Sequence, residues 1–530
     1  MLSIAAQLLK SGWQVLVLNL ASFLWSEIEK IINAIHADLV GISCVTRCLP
    51  GIKALSQLIR QRHPQACIVV GGPHVTPLPA ETLNHQESID IVVIGEGENT
   101  FLEIVERLEA DASQPPQGVT GTVWRGQESV QFAPPRERIK NLDSLASPHD
   151  YFYSPILLTT RGCPSRCTFC GSFSQWGKNL VMNSPNYILR LWEKIVMERG
   201  EKFLSIKDDT FTANKQRILA VCHQIITKKL NFIWSCDTRA DSLDEEILRT
   251  RCLAGCRRIS LGGSQARLPY CKPLKNIYPR KAVEVSHLAR KYGIQVRFYM
   301  IIGNRGETLE TIQQSFELIH EAHPFSANFN PLEFIPGTDG FETLKKEKGL
   351  GNEIFYREDY RKFLKNYSYL PEKKSGDYIK LFMIVYGDSI NLNYSSTHEY
   401  IEILHRLDGH HSAHMNLAGA YLRAGEPEQA LPHIFMAIDK KYPHMEISLN
   451  HLAIVSTFQG DYSLAENHLF QASKITSDLR FVFNYLKFKP WRDFGGLENG
   501  NKLTLKVISD YACYYWRKQP DYPASIRLPD

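Results

Sequence analysis

The sequence has no apolar run long enough to cross a membrane. A transmembrane helix needs roughly 18 or more successive apolar residues, and the longest candidate, residues 15–25, is interrupted by Asn19 and Ser22. The first residues also show neither the basic leader nor the small-residue cleavage site of a secretory signal. We therefore expect a cytoplasmic protein without a membrane span.

A marked charge bias is also missing. The 530 residues include 61 Lys and Arg against 56 Asp and Glu, a net charge of +5, and no segment is densely basic. Because phosphate contacts dominate the affinity of nucleic-acid-binding proteins, such proteins usually carry a basic patch or arm. The sequence therefore does not predict nucleic-acid binding. Its apolar content of 44% is ordinary for a globular chain. At roughly 150 residues per domain, its length predicts three or four domains.

Clustered cysteine occurs at one place only. Three of the 12 cysteines, Cys163, Cys167 and Cys170, lie within eight residues. No export signal accompanies them, and disulfide frameworks belong mainly to secreted domains. The cluster therefore favours an intracellular metal or redox site.

The first 112 residues alternate between apolar, β-rich runs and helical patterns. This alternation predicts a doubly wound α/β domain with a parallel sheet, whose ligand would lie beyond the carboxyl ends of the strands. The chain starts inside a helical pattern, so we expect the usual first strand to be missing or Met1 not to be the true start. The predicted strands are residues 15–20, 38–43, 67–71 and 89–95.

Residues 113–153 are rich in Pro, Gln and Gly and predict a small β excursion followed by a linker. A second alternating series then covers residues 154–345. Six βα units are too few for a closed eight-stranded barrel, so we expect a partial (βα)6 barrel with functional residues just after its strands. The predicted strands are residues 156–160, 203–207, 232–237, 258–261, 296–302 and 327–334.

The remaining chain has a helical pattern, with a predicted connector at residues 346–395. Within residues 396–480, Gly425, Ala430 and Ala437 recur as Gly460, Ala465 and Ala472, each 35 residues later. This period and its small residues resemble the tetratricopeptide repeat. Such repeats would either offer a groove to a protein partner or simply cover the barrel. Residues 481–530 form a tail that the pattern does not place.

The cysteines lie in the stretch Thr-Arg-Gly-Cys-Pro-Ser-Arg-Cys-Thr-Phe-Cys, directly after a predicted strand. Three thiolates spaced Cys-x3-Cys-x2-Cys can hold three irons of a cubic iron–sulfur cluster, leaving one iron open to an external ligand. Arg161 and Arg166 would lower the thiol pKa values. The alternatives are a structural zinc loop, which would want four protein ligands, or buried free thiols.

This triplet, with an aromatic residue before its last cysteine, resembles the radical S-adenosylmethionine (SAM) superfamily. The resemblance implies a [4Fe-4S] cluster on Cys163, Cys167 and Cys170, with SAM chelated to the open iron. It also implies reductive cleavage of SAM to a 5′-deoxyadenosyl radical. An electron donor such as flavodoxin or ferredoxin is then required.

The N-terminal stretches Asp-Leu-Val-Gly-Ile-Ser, Val-Val-Gly-Gly-Pro-His and Gly-Glu-Gly-Glu resemble the cobalamin-binding domain found ahead of such barrels. The histidine signature Asp-x-His-x-x-Gly is absent, which suggests no histidine ligand on the lower face of the corrin. The alternative is a set of glycine turns in an empty or docking domain, because a Gly-rich loop alone is a weak motif. The residues implied at cobalamin are Ser43, Thr46, Gly71, Gly72, His74, Gly95, Glu96 and Gly97.

In the barrel the same resemblance implies that Asp208 and Asp209 face the methionine end of SAM. Capping of the next helix is the alternative for these residues. Arg239 would also lie near SAM, with a surface salt bridge to Asp241 as its alternative.

Two barrel strands depart from the family pattern. After the fourth strand, Gly262 and Ser264 remain but the family's Glu is deleted, which puts SAM binding in doubt. After the fifth, Gly303 and Glu307 remain, so the backbone that faces adenine can persist.

The favoured function is methylation of an unactivated carbon in a small-molecule or carrier-bound substrate, through the 5′-deoxyadenosyl radical and methylcobalamin. The cofactors carry the difficult chemistry and the protein orients them. One alternative is a radical SAM cyclase or rearrangement enzyme acting on a tetrapyrrole or another natural product. Another is a catalytically degenerate partner that binds through its helical repeats.

Overall fold

The computed structural model describes residues 1–165, 167–177, 179–262, 277–367, 395–476, 479–493 and 505. Two residues of the sequence analysis, Arg166 and Ser264, lie outside this part of the chain. Among the described helices, none combines the length and the apolar character needed to cross a membrane.

The N-terminal domain is built on a five-stranded sheet. Its first three strands are parallel, and the last two extend it as an antiparallel hairpin drawn from the residues predicted as excursion and linker. The second strand, residues 67–71, is buried on both faces, as its continuous apolar run requires. The strands are β1 Leu39–Ser43, β2 Cys67–Gly71, β3 Ile91–Val93, β4 Thr122–Arg125 and β5 Val130–Phe132.

The prediction of a strand at residues 15–20 is wrong. This segment pairs with no described strand and ends in a short 3-10 turn, Leu20–Ser22. A strand needs a neighbour to satisfy its backbone N–H and C=O groups, and Leu16 stays 58% exposed. The helices of this region are α1 Leu2–Lys10, α2 Trp25–Ala34, α3 Leu49–Arg62, α4 Pro79–His85, α5 Glu98–Ala110 and α6 Pro148–Tyr151.

The second sheet confirms the predicted partial barrel. Six parallel strands follow in the order β13-β12-β11-β10-β9-β6, and a small ribbon, β7 with β8, stands beside them. Ile259 and Val296 face the surrounding helices, whereas Ser260 and Arg297 lie on the opposite, polar face. The strands are β6 Ile156–Leu157, β7 Thr160–Arg161, β8 Val181–Met182, β9 Phe203–Ile206, β10 Ile233–Thr238, β11 Cys256–Gly262, β12 Gln295–Ile302 and β13 Ser326–Pro331.

After β13 the chain returns to the first domain. Phe341 and Phe355 share a buried cluster with Ile42 and Val70 of the N-terminal sheet. The two domains are therefore joined by apolar packing as well as by the chain. The helices around and after the second sheet are α7 Ser172–Trp176, α8 Pro185–Glu193, α9 Lys215–Thr227, α10 Glu245–Leu253, α11 Ile277–Lys291, α12 Leu309–Ala322, α13 Asp339–Lys348 and α14 Tyr360–Lys365.

The C-terminal region consists of helices packed in sequence on one another. Ala430, Ala437, Ala465 and Ala472, the small residues of the 35-residue period, are all fully buried where helices cross. Tetratricopeptide repeats remain a prediction for this region. Its helices are α15 Thr397–Arg406, α16 His411–Ala424, α17 Pro427–Asp439, α18 Met445–Phe458, α19 Tyr462–Ile475 and α20 Leu479–Asp493.

Candidate functional site

The cysteine loop connects β7 to α7. Its three cysteines are of intermediate exposure, neither buried nor fully open to solvent. The Cys170 backbone N–H donates to the Cys167 carbonyl over 3.1 Å, so the last two cysteines share one turn of backbone. The three cysteines therefore lie on one short loop beyond the strands.

Asp208, just after β9, holds the chain that leads into this loop. Its carboxylate accepts hydrogen bonds from the Thr159 N–H at 2.5 Å, the Thr159 hydroxyl at 2.6 Å and the Thr160 N–H at 3.0 Å. Burial raises the pKa of Asp208, whereas its hydrogen bonds with Thr159 lower it, and the net shift is upward. Its oxygens are engaged within the protein, which differs from the expected contact with SAM.

The next two residues contact the loop itself. The Asp209 carboxylate accepts a hydrogen bond from the Ser172 hydroxyl at 2.5 Å, and the Thr210 hydroxyl lies 3.2 Å from the Cys163 sulfur. Sequence reasoning missed Thr210 and Ser172, because no local pattern shows that Thr210 contacts Cys163 or that Ser172 contacts Asp209. The alternative helix-capping role is wrong, since α9 is capped by Asn214.

The donor set fits an iron–sulfur cluster. Thiolates are the preferred protein ligands of such clusters, and each thiolate binds a different iron. Among the described residues, no three His, Cys, Asp or Glu side chains converge as ligands of one metal ion. Three cysteines on one short loop match the donor set that three irons of a cubic cluster require.

Loops of the N-terminal domain face the cysteine loop. Arg161, at the end of β7, binds the Glu96 carboxylate at 2.7 Å and the Glu98 carboxylate at 2.6 Å. Burial lowers the pKa of Arg161, but Glu98 and Glu96 raise it, with a net rise. Two expectations change: Glu96 is engaged by protein, and the charge of Arg161 is matched by carboxylates rather than directed at the thiols.

His74 lies fully buried beneath this interface. Its Nδ1 is 3.1 Å from the Thr46 hydroxyl, and the rings of Phe355 and Tyr356 pack edge-on against it. Burial lowers the pKa of His74 to about 4, so its imidazole is neutral. It is enclosed by protein, which differs from the expected contact of His74 with cobalamin.

The remaining predicted residues of this domain end its parallel strands. Ser43 is exposed at the end of β1, and Gly71 ends β2. Beside them, a side chain on Gly72 would meet the Cys44 carbonyl at 2.7 Å, whereas one on Gly95 would meet nothing within 4 Å. An exposed hydroxyl next to bare backbone fits a flat group such as a corrin. Gly97, in contrast, faces Ile4 of α1, on the protein's own side.

At the second sheet, Arg239 forms a two-pronged salt bridge with Asp241, at 3.0 and 2.8 Å, as its structural alternative predicted. Gly262 ends β11, and a Cβ there would meet no atom of another described residue within 4 Å, its chain neighbours aside. The Glu307 carboxylate accepts the N–H groups of Gly303 and Asn304 and so holds the turn after β12. Burial raises the pKa of Glu307 to about 7, against the lowering by these two N–H groups.

Gly337 lies where the two domains meet. A Cβ there would stand 2.7 Å from a Pro77 carbon and 3.1 Å from a Ser174 carbon, and its φ is +73°. Both the space and the left-handed backbone require glycine. Pro77 belongs to the loop after β2 and Ser174 to α7, so loops at the carboxyl ends of both sheets meet here.

Family models match both domains. A model of the B12 binding domain matches residues 1–105, and a model of the radical SAM superfamily matches residues 157–319.

Curated relatives carry more than one activity. The chain is 28% identical to an uncharacterized methyltransferase of Pyrococcus horikoshii, over 64% of this chain and 75% of that protein. It is 26% identical to the cytidylyl-2-hydroxyethylphosphonate methyltransferase of Streptomyces wedmorensis, over 64% and 73% respectively. It is 25% identical to the anaerobic magnesium-protoporphyrin IX monomethyl ester cyclase of Rubrivivax gelatinosus, over 63% of this chain and only 62% of the cyclase.

Two solved structures share the fold. The radical SAM methyltransferase TsrM of Kitasatospora setae matches with a TM-score of 0.57 and 17% identity, over 65% of this chain and 72% of that one. The cobalamin-dependent radical enzyme OxsB matches with a TM-score of 0.51 and 13% identity, over 93% and 81%. Because the B12-binding match lies on the N-terminal domain and the radical SAM match on the six-stranded sheet, the chain belongs to the cobalamin-dependent radical SAM enzymes.

Proposed function

We propose that this chain transfers a methyl group to an unactivated carbon of a small-molecule substrate. When bound, the cluster supplies the electron that cleaves SAM to an organic radical, and cobalamin supplies the methyl group. The observation that carries the proposal is the meeting of the two domains at the carboxyl ends of their sheets, with the cysteine loop at the junction. Two methyltransferases among the named relatives support it.

The chain's own residues hold the cysteine loop and would orient the cofactors. Asp208 and Asp209 hold the cysteine loop from both sides, at Thr159 and Ser172. Gly262 and the Gly303 turn, which Glu307 holds, lie at the ends of β11 and β12, where SAM would lie against the sheet. Ser43 and the glycines after β2 would face the corrin. An external electron donor of the flavodoxin or ferredoxin class completes the proposal.

The test is anaerobic reconstitution with iron, sulfide and cobalamin, followed by SAM and dithionite. Mass spectrometry then quantifies 5′-deoxyadenosine and S-adenosylhomocysteine. A methyltransferase consumes two SAM molecules per turnover, one for each product, so both should accumulate once a substrate is supplied. Cys167→Ser should abolish both, whereas Cys48→Ser, at an exposed cysteine outside the loop, should change neither.

Ring closure or rearrangement is the second candidate, and the similarity to the Rubrivivax cyclase favours it. This chemistry would form 5′-deoxyadenosine without a matching amount of S-adenosylhomocysteine. A substrate that turns over with only the first product would therefore replace the methyltransferase proposal by this one.

A binding partner without catalysis is the remaining alternative. An intact cluster with SAM present and no 5′-deoxyadenosine, with or without substrate candidates, would favour it. Deleting residues 396–530 tests the proposed role of the helical region. Unchanged turnover by a folded truncation would remove the idea that this region holds the substrate or a partner.

A further inference from the structure

Three side chains connect the two domains beside the cysteine loop. We call Glu96, Glu98 and Arg161 the carboxylate bridge. One Arg161 nitrogen lies 2.7 Å from Glu96 and 3.3 Å from Glu98, and the other lies 2.6 Å from Glu98. The exposed side-chain fractions are 6%, 7% and 13% for Glu96, Glu98 and Arg161, so the bridge is shielded from solvent.

The carboxylate bridge also contacts both flanks of the cysteine loop. Arg161 precedes the loop, and its guanidinium stands 5.5 Å from the ring centre of Trp176 in α7, which follows the loop. The neighbouring Gln175 side chain donates to the Gly95 carbonyl at 3.4 Å. The second Glu96 oxygen accepts the Ile139 N–H at 2.7 Å, which adds the interdomain segment.

Shielded charges of this kind make a rigid connection. Two carboxylates on one guanidinium restrict it in direction as well as in distance. Both Glu98 oxygens contact the guanidinium, so neutralising Glu98 leaves Arg161 held by Glu96 alone and removes the restraint on its direction. Glu98 is also the first residue of α5, where the helix dipole favours a negative charge. The bridge therefore fixes the cysteine loop relative to the N-terminal domain.

We propose that Glu96, Glu98 and Arg161 are positioning residues that set the distance between the cluster and cobalamin without binding either. This inference rests on the proposed function, because it requires both cofactors. Each cofactor would still bind within its own domain when the bridge is broken, whereas their relative placement would change.

Electron paramagnetic resonance measures this placement without turnover. The dithionite-reduced cluster and cob(II)alamin each carry an unpaired electron, and two such centres held close together split or broaden each other's signals. In Glu98→Gln we expect iron and cobalt contents equal to those of the unchanged protein, together with loss of this mutual splitting. Glu103→Gln is the matched control, since Glu103 lies on the same helix and pairs with Arg107 and Arg136 but with no residue of the carboxylate bridge.

Each outcome decides the matter. Unchanged splitting in Glu98→Gln with both cofactors bound would overturn the positioning role. Loss of one cofactor from a folded Glu98→Gln protein would also overturn it, because Glu98 would then be a binding residue. If Glu98→Gln does not fold, Arg161→Lys, which keeps the charge but loses the two-pronged contact, takes its place with the same readouts. A chain without substitutions that binds no cobalamin would instead refute the proposed function.

Discussion

The two ends of the six-stranded sheet hold their buried charges differently. At the carboxyl end, Arg161 meets carboxylates and the Asp208 carboxylate meets N–H and O–H donors. Near the amino end, a buried cation contacts a neutral ring instead. One Arg257 nitrogen lies 2.9 Å from His410 Nδ1, and burial lowers the pKa of His410 well below its ordinary value.

This difference separates positioning from packing. Matched charges and directional hydrogen bonds fix the cysteine loop at one end. At the other end the histidines are kept neutral by burial, which serves packing only while they remain unprotonated. The carboxyl end should therefore respond to substitutions, and the amino end to acid.

Cysteine substitution gives the largest expected difference between the two ends. Cys170→Ser should lose the cluster and all SAM cleavage, because a serine hydroxyl is a poor iron ligand. Cys252→Ser should retain both, since its hydroxyl can still donate to the Tyr292 carbonyl as the thiol does at 3.0 Å. Iron and sulfide analysis of the reconstituted proteins measures this, and equal iron loss in both variants would contradict it.

Acid should unfold the helical region beside the amino end. Burial lowers the pKa of His411 to about 3 and that of His414 to about 4. Because these values lie below the ordinary 6.5, the stability from the neutral forms is complete above pH 6.5. It is lost as pH falls toward 3, by on the order of several kcal/mol.

Circular dichroism during acid titration measures this loss. In His411→Gln the transition should begin at lower pH than in the unchanged protein. His398→Gln, at a side chain that is 83% exposed, should have no effect. An unchanged transition in His411→Gln would show that another group controls acid unfolding.

At the carboxyl end, Asp208→Asn should loosen the cysteine loop. The amide oxygen can still accept the Thr159 and Thr160 N–H groups, but the amide nitrogen then faces the Thr159 hydroxyl, which loses its acceptor, at about 1–3 kcal/mol. Reconstituted protein should hold less cluster, although the cysteines are intact. Asp241→Asn, which touches Arg239 but not the loop, is the control. Full cluster content in Asp208→Asn would contradict the role of Asp208.

The smallest expected effect concerns Thr210. Its hydroxyl donates to the Asp209 carbonyl at 2.7 Å and lies 3.2 Å from the Cys163 sulfur, toward which it can turn its hydrogen once that sulfur is a thiolate. Hydrogen bonds to cluster sulfurs raise the reduction potential. Thr210→Val keeps the shape and removes the hydroxyl, so the midpoint potential should fall, whereas Thr210→Ser should retain it. A redox titration followed by paramagnetic resonance distinguishes them, and equal potentials in the two variants would exclude this hydrogen bond.

The sequence predicted the strands better than it predicted which side chains contact one another. Alternating apolar runs located the six barrel strands, because local pattern encodes a buried strand. The same reasoning failed at residues 15–20, whose pattern is strand-like but which pair with no strand in the described chain. Whether Asp208 or Glu96 faces a cofactor or a protein donor depends on contacts between distant segments. Spacing along the chain does not predict that Asp208 contacts Thr159 or that Glu96 contacts Arg161.

The hold of Asp208, Asp209 and Thr210 on the cysteine loop has a consequence for biosynthesis. A growing chain exposes all three cysteines before the residues that shape their loop have been made. Iron delivered at that stage would meet an unformed site with three reactive thiols. Cluster insertion is therefore expected after β9 has joined the sheet, so maturation follows folding rather than guiding it.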